Sequence, residues 1–153
     1  MVAGIGSPHG DDQVGWEIAK LIRNSDNDLV SVRLARTPDD LLNWMDEFTQ
    51  LVICDACQGS GSVGSFHRWK WPCKQLESIR WSGTHNVSLP AVLALGEQLG
   101  KLPVSVCIWG IEVEQTHPAH SMSEAVQAGA VAVAERICKE LAIPMNTTEA
   151  GHA

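Results

Sequence analysis

The chain has 153 residues, with 11 Lys and Arg against 18 Asp and Glu for a formal charge of −7, and 44% of it is hydrophobic. That length suits one domain around a real core, and the apolar fraction excludes a disordered acidic chain. The acidic balance argues against a nucleic-acid binder, and no apolar run reaches the roughly 18 residues a membrane helix needs.

The sequence opens on a short apolar run, MVAGIG, read as the end of a strand. A helix follows from about Asp12 to Arg23, with Val14, Ile18, Leu21 and Ile22 on one stripe. Residues 29–36 alternate as a strand, and Pro38 starts a helix through Leu41, Leu42 and Met45, because proline suits the first helical turn. LVICDA (51–56) reads as a buried strand stopped by an acid, and GSFHRWKW (64–71) as an edge strand. The helix over 86–100 ends at Gly100, a usual stop. A buried strand over 103–112 and a long helix over 121–141, capped by Ser121 or Ser123, complete the series.

The alternation predicts an α/β three-layer sandwich: a mostly parallel twisted sheet of about five strands, flanked by helices. It forms a single domain over 1–145, followed by a flexible tail over 146–153. Five cysteines, an odd number, and no visible leader point to a reducing, cytoplasmic setting. Cys54 and Cys57 form a C-x-x-C with no second pair to complete a zinc site, so they read as buried apolar side chains.

In such a sheet ligands gather at the carboxyl ends of the strands, and three polar residues fall there. In GIGSPHGDDQVG the glycine spacing departs from a dinucleotide fingerprint, and two acids stand where the helix starts. A helix N-terminus favours an anion, so two carboxylates there displace a phosphate. Asp11 reads as a cap for that helix, which leaves Asp12 to point outward. Asp55 closes LVIC ahead of a glycine-rich loop; it either bonds the amides of that loop or faces a cation. His85, just ahead of the helix near Ser88, is either a solvated loop histidine or a metal ligand. Together the three make an oxygen and nitrogen donor set suited to a borderline divalent ion, with positions left open for water or substrate.

Other residues carry less. His67 reads as a surface histidine, and His117 and His120 as solvated loop residues separated by Pro118. Trp69, Trp71 and Trp81 read equally as packing or as a docking patch for a protein partner.

GIGSPHGDDQVG, VICDACQGSGSVGSFHRW, GTHNVSLPAVLALGEQLG and VCIWGIEVE stand in an order and spacing that resemble the NiFe-hydrogenase maturation proteases, from about Val2 to Leu141. These endopeptidases remove a C-terminal extension from the hydrogenase large subunit once nickel is in place. The resemblance implies Asp12, Asp55 and His85 as metal ligands; Asp12 and Asp55 are the candidate catalytic carboxylates, with activation of the water by a carboxylate or by the metal left as alternatives. It further implies nickel carried by the substrate and no organic cofactor. The partner would be the large-subunit precursor, met by a cytoplasmic monomer that binds no nucleic acid and has no membrane span. Departures are Ser7 in place of a common Asn, a shorter loop before the acids, and Val63 where Pro-Gly is common. Two other readings stay open: a non-catalytic nickel chaperone or sensor using the same ligands, and a nucleotide-binding module built on Gly4, Gly6 and Gly10.

Overall fold

A computed structural model describes residues 1–25, 29–59, 61–81, 87–114 and 121–142. Six strands form one sheet: β1 (Val2–Ile5), β2 (Val32–Ala35), β3 (Gln50–Gln58), β4 (Phe66–Lys70), β5 (Arg80–Trp81) and β6 (Ser105–Glu112). Their order is β2-β1-β3-β6-β4, with β5 paired to β3. The strands β2, β1, β3 and β6 run parallel, whereas β4 and β5 run antiparallel to their neighbours. The expected α/β sandwich is therefore present, with six strands where about five were read and with β4 at the edge as the alternation implied.

Among the described residues three α-helices cover the sheet: α1 (Val14–Arg23), α2 (Leu89–Gln98) and α3 (Glu124–Glu140). Side chains alternate across each strand, so the sheet feeds two cores. Val52, Cys54, Trp109 and Ile111 meet Val14, Ile18, Val126 and Val133 on the face covered by α1 and α3. Ile53, Cys57 and Ile108 meet Leu89, Val92 and Leu93 on the face covered by α2. The segment begun by Pro38 is 3-10 helix over Pro38–Asn43 and Met45–Glu47 rather than the single helix expected; it still buries Leu41 and Met45.

The helix ends follow local chemistry. The Ser88 hydroxyl accepts the Ala91 N–H at 3.3 Å, opening α2. Gly100 (φ +69°) ends it, its N–H donating to the Glu97 carbonyl. Cys54 and Cys57 are three residues apart on β3, so they point to opposite faces, and both are buried. Burial pushes the Cys54 thiol well above its ordinary range and the Cys107 thiol up to about 11.

Candidate active site at the β1 and β3 strand ends

Strand order locates the crevice. The chain leaves β1 for β2 on one side and then returns to place β3 on the other, so connections diverge between β1 and β3. A doubly wound sheet opens its ligand crevice at that point, beyond the carboxyl ends of the strands. Asp12 comes from the connection that follows β1, and Asp55 from β3 itself.

Asp55 does not end its strand. β3 continues through Gln58, and Asp55 sits fully buried in it, facing the α2 side with Ile53 and Cys57. The strand β1 pairs with β3 only up to Cys54, so Asp55 stands where that neighbour stops. On its other side it pairs with Gly110 of β6. The space a side chain would take at Gly110 is filled by the Trp69 ring and the Cys57 sulfur.

Asp12 lies in a 3-10 turn, Gly10–Gln13, that leads directly into α1 and packs against β3. It is buried rather than pointing out to solvent, as the sequence reading had it. Its position follows from how closely α1 sits on the sheet. A Cβ on Gly15 would collide with the carbonyls of Ile5 and Cys54, and one on Gly4 would collide with the carbonyl of Gly15. The first turn of the helix is thus docked on the strand pair beside Cys54. Asp12, three residues earlier, is carried to the end of β1. These contacts account for Gly4 as packing, and Gly6 likewise abuts the Asp12 carbonyl and the Trp16 ring.

Asp11 has a different task from the one read in the sequence. The residue at the cap of its 3-10 turn is His9, and Asp11 bonds elsewhere. Its carboxylate accepts the Ser123 N–H at 2.7 Å and the Ser123 hydroxyl at 3.2 Å. Ser123 is the capping position of α3, but its own hydroxyl makes no cap there, so Asp11 supplies the anion to that helix from the other end of the chain.

Glu112 is the residue that the sequence reading missed. It ends β6 in register with Cys57 and is buried. Its Oε1 accepts the Gly59 N–H at 2.8 Å and the Gly61 N–H at 3.4 Å, and its Oε2 lies 3.8 Å from the Cys57 thiol. The loop amides assigned to Asp55 as one reading are held by Glu112. An acid closing an apolar run was the signal for Asp55 in LVICD, and the same signal is present in VCIWGIE.

His67 is half-buried on β4, stacked on Trp69 with centroids 5.6 Å apart, so it is not a plain surface histidine. Trp69, Trp71 and Trp81 are packing residues of the α2-side core. Their indoles donate to Gln75, Glu97 and the Leu76 carbonyl respectively. His85, His117, His120 and the tail over 146–153 lie outside the described residues. Among the described residues no group of three His, Cys, Asp or Glu side chains is arranged to hold a metal, and no helix is long and apolar enough to cross a membrane.

The family model described as hydrogenase maturation protease, HycI, matches residues 36–140. The chain belongs to the hydrogenase maturation protease family. It is accordingly a peptidase, an endopeptidase of hydrogenase maturation. The matched span includes Asp55 and His85 and begins after Asp12.

Solved maturation proteases share the fold. The hydrogenase maturating endopeptidase HybD from E. coli superposes with a TM-score of 0.73 at 20% identity, covering 92% of this chain and 90% of that one. The NiFe hydrogenase maturation protease HycI from Thermococcus kodakarensis gives 0.73 at 23%, covering 92% and 90%. A hydrogenase 2 maturation peptidase from a Thaumarchaeota archaeon gives 0.66 at 22%, covering 92% and 95%. No individually curated protein matches the chain by sequence.

Proposed function

We propose that this maturation protease removes the C-terminal extension of a NiFe-hydrogenase large-subunit precursor after nickel insertion. In this reading Asp12, Asp55 and His85 bind the nickel that the substrate carries, and the protein acts as a cytoplasmic monomer. The observation that supports it is that Asp12, in the turn that follows β1, and Asp55, on β3 beside the end of β1, are far apart in sequence yet stand toward the same end of two adjacent strands. Two carboxylates with one imidazole nitrogen form a donor set that suits a borderline divalent ion such as nickel.

His85 enters through the resemblance that GTHNVSLP bears to the family. One carboxylate also serves as general base, taking a proton from the water that attacks the scissile carbonyl. Bound nickel would polarise that carbonyl.

The test is incubation of purified protein with nickel-loaded precursor, followed by mass measurement of the precursor. The wild type shortens its C-terminus. Asp55→Asn and His85→Ala, checked for fold by circular dichroism, are expected to leave it uncleaved. Processing at the normal rate by either variant would remove that residue from the site. Nickel transfer with unchanged precursor mass would instead favour the chaperone reading.

A further inference from the structure

On the opposite face from Asp55, the edge strand β4 and the second half of α3 enclose an open cleft of about 590 Å³. Phe66 and Trp109 contribute its aromatic surface, with ring centroids 6.2 Å apart. Arg68, Arg136 and Lys139 line it against a single carboxylate, Glu140. That carboxylate is engaged, with Arg68 Nε at 2.9 Å. A cationic cleft in a chain of net charge −7 is a local reversal of sign.

Arg136 shows what the cleft lacks. Its guanidinium lies over the Phe66 ring, 5.2 Å from the centroid, and among the described residues neither Arg136 nor Lys139 has an ion pair. The molecule contains a completed version of the same arrangement. Arg33 lies over Trp44 and Phe48, 5.4 Å from each centroid, and from that position it binds the Glu47 carboxylate at 3.0 Å. Stacking on a ring fixes the plane of a guanidinium while leaving its N–H fork free, and that fork matches a carboxylate. Arg136 is Arg33 without its Glu47.

The cleft also runs along an open strand edge. β4 is the last strand in the sheet order and, among the described residues, pairs only with β6. An extended chain laid on that edge finds unpaired backbone groups, and alternate side chains reach the α3 face. We infer that this cleft is a docking site for an extended acidic segment of a protein partner, with a carboxylate of that segment seated on Arg136 above Phe66. Charge complementarity selects the acid, and the open edge selects a peptide over a small anion. The site is separate from the proposed nickel ligands and does not depend on that assignment.

The test uses the full chain labelled with ¹⁵N and an N-acetylated, amidated octapeptide of alternating Glu and Thr. The Trp109 indole N–H, assigned by its loss in Trp109→Phe, reports from inside the cleft. The Glu peptide is expected to shift that resonance saturably. Arg136→Ala should weaken binding about ten-fold or more, the usual effect of removing a charged hydrogen-bond partner. Arg136 is exposed, so the other five indole signals check that the variant keeps its fold. The inference is overturned by an unmoved Trp109 signal, by equal binding of Arg136→Ala, by equal binding of the Gln-Thr peptide, or by inorganic phosphate binding as tightly as the Glu peptide.

Discussion

A carboxylate inside a buried strand is destabilising unless something in its surroundings favours the charged form. Among the described residues two acids are so placed, Asp55 and Glu112, on neighbouring strands and the same sheet face. Their surroundings separate them. Glu112 accepts two glycine N–H groups and holds the loop after β3, which makes it a structural anion. Asp55 stands just past the last β1–β3 pair, and it is the carboxylate to which the proposed chemistry is assigned. The thiols divide by the same logic of burial. Desolvation raises the pKa of Cys54 and Cys107, and a raised thiol stays protonated and unreactive at pH 8. Cys73 is the only cysteine that is not buried. Iodoacetamide at pH 8 is therefore expected to label Cys73 first and the other four only on unfolding. Peptide mapping by mass spectrometry reads the order, and early labelling of Cys54 or Cys107 would contradict it.

At the scale of elements, the seat of α1 on β1 and β3 governs the site, because that contact sets where Asp12 stands. The contact is backbone on backbone at Gly15, so a single methyl group has nowhere to go. Gly15→Ala raises helix propensity by about 1 kcal/mol, and on propensity alone it would stabilise α1. The collision with the Ile5 and Cys54 carbonyls outweighs this, since overpacking costs typically 1–3 kcal/mol and backbone atoms cannot rotate aside. At the upper end of that range, about 3 kcal/mol against the gain of about 1, the net loss is about 2 kcal/mol, which lowers Tm by roughly 4–8 °C at this size. Differential scanning calorimetry of Gly15→Ala measures it, and a Tm equal to or above that of the wild type would show that α1 is not seated as described.

The sequence made much of this legible. Periodicity placed every α-helix and the main strands, and the edge character of β4 followed from its alternation. Asp11 was misread because its partner, Ser123, stands 112 residues away. Local pattern can nominate a helix cap but cannot say which helix receives it. The three tryptophans were undecided for the same reason: indoles that satisfy their N–H groups within the fold look, in sequence, like indoles offered to a partner.

At the scale of the whole molecule, two cores lie on one sheet, and β3 and β6 contribute side chains to both. Neither core can loosen without losing strands the other needs, so the described residues should unfold as one cooperative unit. Tryptophan reporters exist on each side, Trp109 in one core and Trp69 in the other. Urea unfolding followed by tryptophan fluorescence and by far-ultraviolet circular dichroism is expected to give coincident midpoints. Separated midpoints would mean that the two faces fold independently. The same two-faced plan separates tasks: the proposed chemistry lies at the strand ends beside the α2 face, and the cationic cleft lies under α3.

The opening charge count set 18 acids against 11 bases and argued against a nucleic-acid partner, but it assigned no acid a task. By itself the sequence determined the α-helices, the main strands, the fold class and the family, because hydrophobic period, helix stops and motif order are local properties that survive without coordinates. It also nominated Asp12 and Asp55. Only the tertiary structure decided that Asp12 and Asp55 are both buried, that Asp11 and Glu112 are structural anions, and that basic residues from β4 and α3 meet around Phe66. Those facts depend on strand order and on contacts between residues far apart in the chain, and such contacts leave no periodic trace in the sequence that makes them.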